Sequence, residues 1–110
     1  SYMAAHPEVI QGFTNAIARA QRWVMDHTDR EVAEAICDQF PDTSLDVLEA
    51  VTARHRQIDA WNAVPMMEQT ALERLETVMT EAGELAKADW VDFSRLVDNS
   101  FAEKAVAALR

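Results

Sequence analysis

An all-α fold is what this sequence predicts, and three observations carry the expectation. The 110 residues hold only 2 Gly and 3 Pro, too little punctuation for many short strands. Apolar residues recur at spacings of three and four, the period of one helix face. No stretch alternates apolar and polar residues with β-branched enrichment, and there is no solenoid-length repeat or low-complexity tract. With 49% hydrophobic and 26% charged residues the chain reads as globular. Residues 1–110 are one domain's worth, expected to form a single core from about five amphipathic helices in an irregular bundle.

The first helix is expected from near His6 to near His27. Pro7 loses no needed hydrogen bond in a first turn, and Glu8 suits the positive end. Ile10, Phe13, Ile17, Ala20 and Val24 then form one apolar stripe, supplemented by Val9, Ala16 and Trp23. Thr28 and Glu31 have capping-box spacing and open a second helix, whose stripe of Val32, Ala33, Ile36, Cys37 and Phe40 is stopped by Pro41.

Asp42, Thr43 and Ser44 offer N-caps for a third helix, carried by Leu45, Leu48, Val51 and Ile58 to about Asp59. Trp61-Asn62-Ala63-Val64-Pro65 interrupts the period, which Met67, Ala71, Leu72, Leu75, Val78, Met79 and Ala82 resume in a fourth helix ending around Gly83. Periodicity lapses between Glu84 and Val91, a short turn follows around Asp92 to Leu96, and Ser100 with Glu103 has the spacing of a second capping box for a fifth helix.

Charge and composition exclude several classes. Nineteen acidic against ten basic residues give a formal charge of -9, which repels a phosphate backbone, so no nucleic-acid partner is expected. Apolar runs are a few residues long, far short of the roughly 20 that cross a bilayer. Ser1-Tyr2-Met3-Ala4-Ala5 has neither the basic region nor the apolar core of an export signal. The single cysteine leaves the redox compartment open.

No catalytic constellation is found, and no enzyme is expected. His6, His27 and His55 lie far apart, without the one-turn spacing a helical metal site needs, so neither metal nor cofactor is expected. His27 suits the negative end of the first helix. Cys37, on an apolar stripe with no base beside it, reads as a small core residue. Gly12 and Gly83 stand alone, so no phosphate loop exists. Glu73 with Glu76 and Asp89 with Asp92 read as solvated faces, and Trp23 and Trp90 as packing residues. Trp61, a large aromatic in a polar loop, either covers the end of a core or stacks on a planar ligand, and it is the one candidate ligand-binding residue.

The run LVDNSFAEKAVAAL from Leu96 to Leu109 resembles the C-terminal signature of ABC-importer solute-binding proteins of the nitrate, sulfonate, taurine and thiamine-pyrimidine-precursor group. Pro7-Glu8, Phe13 and Gln21-Arg22-Trp23 resemble that family's helix after its last interdomain strand, and the Pro41-Asp42 turn, the Trp61 loop and the Leu75 to Leu85 helix follow in the family's order. The resemblance implies the helical C-terminal portion of a two-lobed α/β protein that closes on a solute by a hinge motion. It implies an extracytoplasmic parent, capture of a small anionic or heteroaromatic solute, and delivery to an ABC permease. Most of the ligand cleft would lie in the lobes this chain lacks. The isolated chain would then self-associate through its uncovered apolar face, as a dimer or larger assembly with or without exchanged helices. Periodicity leaves open another reading, a free-standing acidic helical module that binds a partner protein in a groove between helices.

Overall fold

The computed structural model describes all residues, 1–110, as seven α-helices and no strand. They are α1 (Tyr2–Ala5), α2 (Pro7–Asp26), α3 (Asp29–Ile36), α4 (Leu45–Gln57), α5 (Gln69–Glu81), α6 (Phe93–Leu96) and α7 (Ser100–Ala108), with 3₁₀ turns at Cys37–Gln39 and Lys87–Asp89. The five expected helices are α2, α3, α4, α5 and α7. The single turn α6 lies where a short turn is expected around Asp92 to Leu96, and α1 is an addition too short to show a period.

Local chemistry places most of the boundaries. Pro7 is the first residue of α2. Thr28 and Glu31 form the full capping box at α3, the Thr28 hydroxyl accepting from the Glu31 amide while the Glu31 carboxylate accepts from the Thr28 amide at 2.8 Å. Ser44 is the cap used at α4, its Oγ accepting from the Val47 amide. Helices α4 and α5 both end in a Schellman motif: the Ala60 amide donates to the His55 carbonyl and the Glu84 amide to the Met79 carbonyl, each at 2.9 Å. The left-handed residue is Asp59 (φ 53°) after α4 and Gly83 (φ 79°) after α5.

Three expectations are corrected by side-chain geometry. No box forms between Ser100 and Glu103. The cap of α7 is Asn99, which lends no side chain to the helix because its Oδ1 and Nδ2 are bonded to the Met67 amide and carbonyl. Cys37 is half-buried in a 3₁₀ turn, donating to the Glu34 carbonyl, instead of lying in a core, and Phe40 beyond it is exposed. Glu76 is buried, not solvated: its carboxylate accepts from the Val91 amide at 3.2 Å and ties the 90–93 segment to α5, beside the bond from Trp90 Nε1 to Thr80 Oγ1.

Two helix pairs carry the tertiary structure. In one, α3 packs on α4, and the buried residues are Val32, Ala33, Leu48 and Thr52. An exposed cluster, Arg30 with Glu34, Asp46 and Glu49, borders this pair. In the other, the chain's end returns to its beginning: α7 packs on α2 through the small side chains Ala18, Ala102 and Ala105, and Gln11 Nε2 donates to the Phe101 carbonyl at 2.9 Å.

The single core expected from the sequence does not form, since only nine of 110 residues are buried. The radius of gyration is 17.1 Å where about 13 Å suits a compact chain of this length. The accessible surface is 8184 Å2, against roughly 6100 Å2 for a compact monomer of 12.4 kDa.

The physical reason lies in how the helices are turned. Helix α2 presents Gln11, Thr14, Asn15, Ala18 and Gln21 to the interior, while Val9, Phe13, Ala16, Ile17, Ala20 and Trp23 of its apolar stripe face out, Phe13 at 68% exposure. In the same way α4 exposes Val47 and Val51, and α5 exposes Leu75 and Val78. These stripes are real, and nothing within the 110 residues covers them.

Candidate functional site around Trp61

The loop between α4 and α5 is held by the end of α4. Arg56 anchors that end: its Nε donates to Asp29 Oδ1 at 2.8 Å, and its Nη1 and Nη2 donate to the carbonyls of Val24 and His27, both at 3.1 Å. One planar guanidinium thereby satisfies two carbonyls at the negative end of α2 and the first residue of α3, a fit that a lysine ammonium cannot reproduce. His27 adds to the same end, with Nδ1 2.7 Å from the Trp23 carbonyl and its ring stacked on Trp23 at 4.0 Å. The sequence expectation for His27 as a neighbour of that helix end holds.

Trp61 follows this anchor and is half-buried. Its ring stacks on His55, centroids 5.6 Å apart and planes 23° from parallel, and the Arg56 guanidinium carbon lies 5.8 Å from its centroid. Trp61 thus rests on α4 and turns toward α2. A groove of about 300 Å3 lies between Trp61, Ala60 and Asn62 on one side and Ile17, Ala20, Gln21 and Val24 on the other.

Gln21 also borders a second, larger and more polar cavity of about 730 Å3, lined among others by Asp59, Asn62, Arg74 and Asn99. Gln21 Oε1 is buried without a hydrogen-bond partner. An apolar groove with an aromatic wall, beside a cavity that offers amides, one guanidinium and the carboxylates of Asp59 and Glu68, can hold a small polar or planar molecule. It offers no nucleophile paired with a base, and no group of three or more His, Cys, Asp or Glu is placed to hold a metal ion. No helix is long and apolar enough to cross a membrane.

Sequence reasoning singled out Trp61 but not its neighbours. Gln21 sits on a face that periodicity assigns to solvent, and Arg74 and Asn99 reach the same cavity from helices far apart in sequence.

Comparisons with known proteins place this geometry in a larger context. No protein-family profile matches the chain, and no solved structure matches it. Over 107 residues, 97% of its length, the chain is 33% identical to a protein of Bacillus subtilis (strain 168) that bears the name "Putative binding protein YtlA". Those residues make up 31% of that protein, so the chain spans about a third of the length of the curated relative it matches.

Proposed function

We propose that this chain is the helical C-terminal part of an extracytoplasmic solute-binding protein that captures a small solute for an ABC importer. The observation that carries the reading is the similarity of nearly the whole chain to one third of a longer protein named for binding. Two features support it. The signature LVDNSFAEKA forms α7, which packs on α2, the helix with the Pro7-Glu8 start of the resemblance. The outward apolar stripes of α2, α4 and α5 supply the surface on which a larger body would rest.

Under this reading the protein works by capture and not by catalysis. Solute would bind in a concave site closed by lobe movement, and the closed form would be presented to the permease. Trp61 would contribute at most one wall of such a site. The parent would act outside the cytoplasmic membrane.

A chimera tests the reading. These 110 residues replace the matching third of the Bacillus protein, and parent and chimera are compared by thermal shift with taurine, a short alkylsulfonate, nitrate and a hydroxymethylpyrimidine. The chimera is expected to be soluble and to respond to the same solute as the parent. A chimera that precipitates while the parent stays in solution, or one blind to the parent's solute, would count against the proposal.

A further inference from the structure

Glu76 is a buried carboxylate without a counter-charge. It is 7% exposed, its Oε1 accepts from the Val91 amide at 3.2 Å, and it forms an ion pair with no Lys, Arg or His of the chain. A glutamate so little exposed is nearly always paired, because a lone carboxylate away from water is costly. The side-chain atoms sealed without a partner are Gln11 Oε1 and Gln21 Oε1, so Glu76 Oε2, which makes no hydrogen bond within the chain, keeps access to the cavity that Glu76 lines.

That cavity, of about 180 Å3, lies between α5 and the 90–93 segment and shares no residue with the groove beside Trp61 or the cavity next to it. Leu72 and Glu76, both buried, lie one turn apart on α5, and the half-buried rings of Trp90 and Phe93 line the other side. Trp90 is held in place by the 2.9 Å bond from its Nε1 to Thr80 Oγ1. Glu73 and Asp92, both exposed, add two more carboxylates, and Gln69 Nε2 donates to Glu73 Oε1 at 2.9 Å.

Carboxylates beside aromatic rings select a cation. The net charge of -9 raises the local concentration of one. A bare metal ion does not suit the place, since the acidic groups are not set to hold one. An ammonium on a short alkyl stem does: its three donors can reach carboxylates that are spread apart, while the stem lies against Leu72 and the rings. The volume is below the roughly 300 Å3 at which pockets for drug-sized ligands begin, so the guest is small. The Lys87 ammonium, 5.6 Å from the Trp90 centroid, already shows a cation resting on that ring, and it is not bonded to Glu76.

We infer that this cavity binds the primary ammonium group of a small alkylamine, with Glu76 as the central acceptor, Glu73 and Asp92 as outer ones and Trp90 and Phe93 as walls. The inference stands on these residues alone, and its failure would leave the transport reading untouched.

Titration of the 110-residue chain with n-butylammonium, followed by heteronuclear NMR, tests it. Saturable shifts in the millimolar range are expected, centred on the amides of Glu76 and Val91 and on the Trp90 indole N–H. Butan-1-ol, with the same stem and no charge, should leave these signals in place, and tetramethylammonium, which has no N–H donor, should bind about tenfold more weakly. Glu76→Gln keeps the shape and the acceptor for the Val91 amide, and is expected to weaken binding at least about tenfold. Glu73→Gln and Asp92→Asn, at exposed positions that cannot upset the fold, should each weaken it about threefold, and Glu8→Gln, which removes the same charge from α2, should not. Nα-acetyl-lysine amide distinguishes the source of the group: tighter binding than butylammonium identifies a protein side chain as the guest, weaker binding a free amine, and either bears out the site. Shifts scattered over the acidic surface, equal binding by Glu76→Gln, or equal response to butan-1-ol would overturn the inference.

Discussion

Arg56 shows how much one side chain can organise in a fold with so little interior. Its three donors bind Asp29 and two carbonyls at the end of α2, and its guanidinium lies beside the Trp61 ring. Arg56→Ala removes three hydrogen bonds in a half-buried setting, and a loss of about 2 kcal/mol is expected in urea denaturation. Arg56→Lys should recover less than half of that, because an ammonium cannot fork between two carbonyls and a carboxylate.

Glu31 gives the acid dependence. The amide of Thr28, and after it the Thr28 hydroxyl, hold its carboxyl below the ordinary value of 4.5. A depressed folded pKa stabilises the fold above the ordinary value, and the contribution disappears as pH falls below 4.5 through the folded value. Glu31→Gln keeps the shape of the box without the titration. The stability gap between wild type and variant should therefore be widest above about pH 6 and close on acidification, and a gap that widens in acid would contradict the assignment.

Helix ends and helix faces differ in how far the sequence discloses them. The ends are local, and Pro7 and the Thr28–Glu31 box can be read directly because each acts within four residues of itself, whereas α3 gives way to a 3₁₀ turn after Ile36, short of the Pro41 expected to stop it. Ser100 and Glu103 had the right spacing and still failed, since Asn99 is engaged by Met67, 32 positions away. Glu76 departs from its expected solvated face for the same kind of reason, its partner Val91 lying in a segment without period. The stripe of α2 was legible as a stripe, but periodicity reports only that an apolar face exists and not which body covers it.

The two Schellman ends make a paired prediction at this scale. Asp59 and Gly83 occupy the same left-handed position after α4 and α5. Gly83 has open space around a would-be Cβ, so the penalty of Gly83→Ala is purely the backbone conformation, about 1 kcal/mol. Asp59→Gly relieves the same penalty and should raise stability by up to about 1 kcal/mol. Chemical denaturation reads both, and equal signs for the two would refute the assignment of these caps.

At the scale of the whole molecule, the small interior and the uncovered stripes point to one measurable behaviour. Nine buried residues leave little apolar burial to oppose chain entropy, so each of them weighs heavily. Leu48→Ala empties a site only 5% exposed between α3 and α4 and is expected to cost about 3 kcal/mol in urea denaturation. Val51→Ala, one turn along the same helix and 46% exposed, should cost less than about 0.5 kcal/mol. A loss at Val51 as large as that at Leu48 would mean that the outward stripe is already covered in solution, and that the two helix pairs are not what sustains the fold.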